Sequence, residues 1–429
     1  MRTKKPAVNV VAELRERGLL SQITESGLEA AAQAGPLTLY CGFDPSAASL
    51  QIGNLVPVMV LAHWQRGGHK PIMLVGGGTG MIGDPSGRSE ERNLLSHDDV
   101  MAYTEIIQQQ LARYLDFSGA NAARLMNNFD WLNKITLIDY LRDIGKHFTV
   151  NSMIAREAVA TRMQSDDGIS YTEFSYMILQ ATDYLHLYEH EGCTVQVGGH
   201  DQWGNLVSGV DLIRRKHGAH VHAMTVPLIT TANGQKFGKS AGNALWLDPA
   251  RTTPYDLFQY WINIDDRDVS HYLKVFTFMP LAEIAGLDEA QATDPGKRVA
   301  QKRLAFEVTK LVHGEEVARA VEAATRVLFG EGIAALTPDV LPHLASAVPT
   351  SDLPETFLPG TTTLVDLLVA AGIQPSKGAA RRLIQQGGIS VNDARWTDVE
   401  APLGQEHLLF GKAMLIRAGK NRYHLLRGR

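Results

Sequence analysis

Between residues 36 and 240 short apolar runs alternate with longer stretches of helical period. PLTLYCGF (36–43), KPIMLVGG (70–77), CTVQVGG (193–199) and HAMTVPLI (222–229) are largely apolar, with Gly or Pro at or near their ends. Runs of this kind suit strands buried on both faces of a parallel sheet. Helical patterns fill the intervals over 54–66, 98–116, 172–190 and 203–217. The alternation predicts an α/β, Rossmann-like, doubly wound domain over 1–250, with ligands beyond the carboxyl ends of its strands.

Past residue 250 the strand signals stop. TPYDLFQYWIN (253–263), DVSHYLKVFTF (268–278), GKRVAQKRLAFEVTKLVHG (296–314) and EEVARAVEAATRVLFG (315–330) are helical in period and predict a helical domain over 251–336. Residues 337–361 carry five prolines among polar residues and read as a linker. From Thr362 the pattern gives two short helices and a strand, then MLIRAGKNRYHLL (414–426) as a hairpin, so 362–429 is expected to form a small α+β domain.

Charge changes this picture. The net charge of −5 conceals ten Lys/Arg against five Asp/Glu in residues 361–429, a basic tail on an acidic body. Such a tail is suited to a polyanion. No run of eighteen apolar residues suggests a membrane span, and MRTKKPAVNVVAELRERGLL reads as a short amphipathic helix rather than a secretory signal. Two cysteines, Cys41 and Cys193, make neither a disulfide framework nor an unaided zinc site, and a reducing cytoplasmic compartment is expected.

Candidate chemistry gathers at the ends of predicted strands. In CGFDPSAASLQIGN (41–54) a strand stops at Gly42, Asp44-Pro45 turns the chain, and a helix starts near Gly53. Its first N–H groups would face an anion. VGGGTGMIGDPSGRSEER (75–92) has too many glycines for a simple turn, yet it fits neither a Walker A loop nor a GxGxxG fingerprint. It suggests close backbone approach to a ligand, followed by a loop carrying Arg88 and Arg92. KFGKS (236–240) can set two ammonium groups against polyphosphate. In SYTEFSYMILQATDYL (170–185), Tyr176, Gln180 and Asp183 fall at i, i+4 and i+7 on one helical face, as the wall of a pocket for an amphipathic ligand would require.

Together these segments resemble one family. CGFDP…IGN is similar to the HIGH signature of class I aminoacyl-tRNA synthetases, and KFGKS to their KMSKS loop. VGGGTGMIGDPSGRSEER, GISYTEFSYMILQATDYL and GGHDQWGN (198–205) look like those of bacterial tyrosyl-tRNA synthetases, and the tail from Thr362 resembles an S4-type RNA-binding module. The resemblance implies an enzyme that activates L-tyrosine with ATP and esterifies it onto tRNA(Tyr), with Mg2+ accompanying ATP and no tightly bound cofactor. It implies Tyr40 and Asp183 at the tyrosine hydroxyl. Tyr176, Gln180 and Asp84 would then lie at the ammonium, with Asn127 in support and Gln202 near the carboxylate. ATP would meet Cys41, Gly42, Asp44, Ser46, Gly53, Gly199, Asp201 and Lys239. Gln51, Asn54, Lys236, Lys239, Arg88 and Arg92 would stabilise the charge that develops on the phosphates. Lys377, Arg381 and Arg382 would contact tRNA. A homodimer, with 135–160 near its interface, is also implied.

Two positions depart from the family pattern: Gln51 stands where the first His of HIGH is usual, and His200 where a serine is expected. Two other readings are a tryptophan enzyme on the same fold and a catalytically silent RNA-binding paralogue, the latter favoured by Gln51. A purely structural RNA binder acting through 361–429 leaves the acidic body without a role.

Overall fold

A computed structural model describes residues 9–24, 27–86, 95–164, 168–235, 237–240, 243–419 and 422–428. The chain forms two compact units, one of residues 1–251 with 264–300 and the other of 252–263 with 301–429.

The first unit is built on a six-stranded sheet: β1 (Gln22–Ile23), β2 (Thr38–Phe43), β3 (Lys70–Val75), β4 (Arg124–Asn127), β5 (Cys193–Gly199) and β6 (His222–Val226). Their order is β1-β6-β5-β2-β3-β4, with β2 to β6 parallel and β1 antiparallel on β6. The chain builds outward from β2 through β3 to β4, then crosses back to place β5 on the other side of β2. The reversal creates a switch point between β2 and β5, where a crevice opens beyond the strand ends. The central strands are almost wholly buried, as their unbroken apolar runs require. β1 and β4 gave no sequence signal; β1 is two residues long, and β4 is polar at both ends.

The helix Tyr171–Glu191 flanks this crevice. Ser170 caps it by accepting a hydrogen bond from the Glu173 N–H, and Gly192 ends it at φ 63° in the left-handed region that glycine occupies without strain. After a short hairpin, β7 (Lys239–Ser240) with β8 (Asn243–Ala244), the helix Asp266–Phe276 packs within the first unit. Buried Arg17 of the N-terminal segment donates to the carbonyls of Lys274, Thr277 and Met279 at that helix's end. The single helical domain expected over 251–336 is therefore divided: 264–300 packs with the sheet unit. Helical period reveals an apolar face but not what will cover it.

The second unit contains a sheet of order β11-β10-β12-β13-β9, formed by β9 (Thr350–Asp352), β10 (Ile389–Val391), β11 (Ala394–Arg395), β12 (Ala413–Ala418) and β13 (Arg422–Arg427). The predicted hairpin is β12 with β13, paired from Ala413 with Arg427 to Ala418 with Arg422. The expected linker is not a linker. Residues 337–361 hold the helix Leu341–Ala347 and strand β9, which pairs parallel with β13. Val340 and Leu344 are buried in one cluster with Ala324, Val327, Leu415 and Leu425. Pro338 and Pro342 sit in the first turns of helices, where proline's missing N–H costs nothing, so a proline count misleads there.

Candidate active site

A cavity of about 240 Å³ lies at the switch point, lined from the ends of β2 and β5, the turn after β3 and the helix Tyr171–Glu191. Of the expected residues it brings together Tyr40, Cys41, Gly42, Asp44, Ser46 and Asn54 from the first segment, Asp84 from the second, Tyr176, Gln180 and Asp183 from the helix, and Gly199 with Gln202 from the turn after β5. The i, i+4, i+7 face is thus a cavity wall.

At its deep end Asp183 is 2% exposed and accepts hydrogen bonds from Asn128 Nδ2 at 2.9 Å and Trp131 Nε1 at 2.8 Å. Burial is the main cause of a rise in its pKa to about 7, with Asp44 adding to it. The Tyr40 hydroxyl is buried and, among the described residues, has no hydrogen-bond partner. Burial and the nearby Asp183 carboxylate hold its pKa well above the ordinary phenol value, so it remains a donor. An unpaired hydroxyl beside a buried carboxylate is costly unless a ligand completes it.

Elsewhere in the lining, Tyr176 donates to Asp44 Oδ2 at 2.7 Å, and Thr79 donates to Asp44 Oδ1 at 2.8 Å. Asp84 accepts from the Ser86 N–H at 2.9 Å and from Gln202 Nε2 at 2.5 Å. Burial lifts the Asp84 pKa to about 6 against the lowering effect of these donors. Gly76 is obligatory here: a Cβ would lie 2.0 Å from Asp44 Oδ1. At Gly199 it would lie 2.4 Å from Asp201 Oδ1.

Several expectations change. Asn127 does not line the cavity; its Oδ1 accepts from the Phe129 N–H at 3.0 Å, and Asn128 reaches Asp183 instead. The two are adjacent in sequence but point differently because β4 ends at Asn127. Gln51, Gly53 and Asp201 also stand outside the lining. Gln51 is exposed, its N–H donates to Asn54 Oδ1 at 2.8 Å, and backbone bonds from Ile52 to Leu245 and from Leu247 to Leu50 pin the turn. His200 lies at the surface, Nδ1 3.4 Å from Ser21 Oγ. Lys236, Arg88 and Arg92, and the side chain of Lys239, lie outside the described residues. Sequence reasoning missed Thr79, Asn128 and Pro57 in the lining. A second polar residue directly after a strand end was the available signal for Asn128.

The raised carboxylates carry a sign. Each folded-state value exceeds the ordinary 3.8, so their contribution to stability is complete below about pH 3.8 and is lost as pH rises through 6 to 7. A ligand that brings an ammonium and a hydroxyl donor favours the ionised forms. Such a ligand is therefore expected to bind more weakly at pH 6 than at pH 8 and to release protons near pH 6.5. Calorimetry in buffers of different ionisation heat checks this; equal affinity at both pH values contradicts it.

A doubly wound domain with its cavity at the switch point, and HIGH-like and KMSKS-like segments in order, defines the class I aminoacyl-tRNA synthetases. The family model described as tRNA synthetases class I (W and Y) matches residues 32–330, and a tyrosine–tRNA ligase C-terminal domain model matches 343–426. The tyrosine–tRNA ligase of Roseiflexus castenholzii is 48% identical over 97% of this chain and 99% of that protein. That of Bacillus caldotenax is 49% identical over 98% and 100%. Among solved structures, a C-terminally truncated mitochondrial tyrosyl-tRNA synthetase of Aspergillus nidulans matches with a TM-score of 0.70 at 33% identity, covering 75% of this chain and 94% of that one. The chain belongs to the tyrosine–tRNA ligase family.

Proposed function

We propose that the protein is an ATP-dependent tyrosine–tRNA ligase that forms tyrosyl-adenylate and pyrophosphate and then transfers tyrosine to tRNA(Tyr) for protein synthesis. The observation that carries this reading is the buried, unpartnered Tyr40 hydroxyl beside Asp183 at the end of the cavity. A substrate phenol between them donates to Asp183 and accepts from Tyr40. Tyr176, Gln180 and Asp84 then surround the ammonium, and Gln202 the carboxylate.

The substrate carboxylate attacks the α-phosphorus of ATP, and pyrophosphate leaves. No side chain acts as nucleophile; the enzyme orients the reactants and stabilises developing charge. Asn54 and Ser46 lie along the first turn facing the phosphates, the Gln51 amide supplies a donor in place of histidine, and Lys236, Lys239, Arg88 and Arg92 clamp the pyrophosphate. Asp201 and Gly199 meet the ribose, with Cys41, Gly42, Asp44 and Gly53 near the nucleotide. Mg2+ enters with ATP.

Pyrophosphate exchange into ATP, run separately with tyrosine, phenylalanine and tryptophan, tests the proposal. Exchange with tyrosine alone is expected. Absence of exchange with all three would favour the silent paralogue, with Gln51 as its cause.

The small C-terminal α+β region acts as an S4-like tRNA-binding module. Lys377, Arg381 and Arg382 are exposed on the helix Lys377–Gln385, where Lys377 pairs with Asp366 at 2.7 Å and Arg381 with Glu400 at 3.6 Å. Exposed pairs of this kind are worth little and yield readily to phosphate. Changing all three to alanine is expected to spare pyrophosphate exchange. It should weaken tRNA binding roughly tenfold or more and lower the salt slope by about 2 to 3. Filter binding across a salt series measures both; an unchanged slope refutes the assignment. Deleting 361–429 is a poorer test, because it strips β9 and the apolar cluster of their partners.

Exposed Leu137, Ile138, Leu141 and Val150 form an apolar stretch that supports a homodimer through 135–160. Two buried free thiols, Cys41 and Cys193, are consistent with a cytoplasmic enzyme, and among the described residues no helix is long and apolar enough to cross a membrane.

A further inference from the structure

The hydroxyl-reading end of the cavity is backed by a stack of three rings. Asn128 takes one Asp183 oxygen and Trp131 the other, so together they fix the carboxylate's rotation. The Trp131 indole is 7% exposed and lies flat on the His186 imidazole, with centroids 4.2 Å apart and planes at 13°. His186 lies in turn on His190, at 4.2 Å and 21°. Asp183, His186 and His190 occupy i, i+3 and i+7 of the helix Tyr171–Glu191. One helix face therefore carries both the carboxylate and the rings behind its indole donor. Neither histidine lines the cavity. Partial burial, aided by His190, holds the His186 pKa down at about 4, so a neutral ring meets the indole at physiological pH.

An N–H donates along the plane of its ring, and a donor whose plane tilts loses its aim within a fraction of a rotation. Asn128 alone leaves the second carboxylate oxygen free to swing. We propose that His186 is a specificity-determining positioning residue: its stack fixes the plane of Trp131, and the indole N–H then holds Asp183 in the orientation that reads the substrate hydroxyl. The inference rests on the assignment of Asp183 to that hydroxyl.

The test is pyrophosphate exchange by the full-length chain, its H186A variant and its H186F variant, with tyrosine, with phenylalanine, and with ATP varied. Loss of one aromatic stack is expected to raise the tyrosine KM about three- to tenfold and to narrow the tyrosine-to-phenylalanine ratio of kcat/KM by a similar factor. The kcat and the KM for ATP should stay within about twofold. H186F keeps a flat ring on the indole and should restore both affected quantities. An unchanged ratio in H186A overturns the proposal, as does a loss shared equally by ATP binding and kcat, or failure of H186F to rescue. A wild-type chain that exchanges with tyrosine and phenylalanine equally well would instead remove the assignment of Asp183 itself.

Discussion

Replacing Asp183 with alanine is expected to lower kcat/KM for tyrosine in the exchange reaction by roughly 10²- to 10⁴-fold, corresponding to about 3–5 kcal/mol of lost hydrogen bonding. The substitution removes the acceptor for the substrate hydroxyl, takes from Trp131 Nε1 its acceptor, and leaves Asn128 Nδ2 with Thr79 Oγ1 in place of the pair. Phenylalanine needs no acceptor there, so its kcat/KM should hold or rise. The divergence separates lost recognition from general damage. An equal fall for both amino acids, or a tyrosine rate within about threefold of wild type, would show that Asp183 does not read the hydroxyl. Asp183→Asn, which keeps the volume, serves as the companion variant; it should fold as the wild type does and still lose tyrosine preference.

The second large effect concerns stability. Arg162 Nη2 and Glu173 Oε2 form an ion pair at 2.8 Å, with each side chain 3% exposed. The pair ties the helix Glu157–Met163 to the first turn of the helix Tyr171–Glu191, which carries Tyr176, Gln180 and Asp183. Glu173→Ala removes a buried carboxylate from a buried guanidinium, at an expected cost of about 3–5 kcal/mol. Urea unfolding monitored by circular dichroism measures this. A double variant, Arg162→Met with Glu173→Leu, should recover most of the loss, because apolar packing replaces both desolvated charges. A loss below about 1 kcal/mol in Glu173→Ala would mean that water reaches the guanidinium and the pair is structurally minor.

Both predictions converge on the helix Tyr171–Glu191. Its polar stripe was visible in the sequence because Tyr176, Gln180 and Asp183 obey a local period, but polar faces are as common toward solvent, and only packing showed that this one lines a cavity. The glycines after β3 were legible for a similar reason: six in a dozen positions exceed what a turn needs. Their individual purposes were not. Gly76 is required by Asp44, 32 residues earlier in the chain, and no window of local sequence contains that relation.

By itself the sequence determined the central parallel strands, the helices between them, the C-terminal hairpin and the strand ends where chemistry gathers. These follow from hydrophobic period, caps and turn residues, each acting over a few positions. Tertiary structure alone decided that Asn128 rather than Asn127 serves Asp183, that Asp44 is engaged by Tyr176 and Thr79, and that 264–300 packs with the first unit. It also made the proline-rich segment part of a sheet and backed Trp131 with His186. Each of these depends on which surfaces meet: burial sets the price of a polar group, and a partner 55 or 132 residues away satisfies it. Local pattern fixes which face of an element is apolar, while only packing fixes its neighbour.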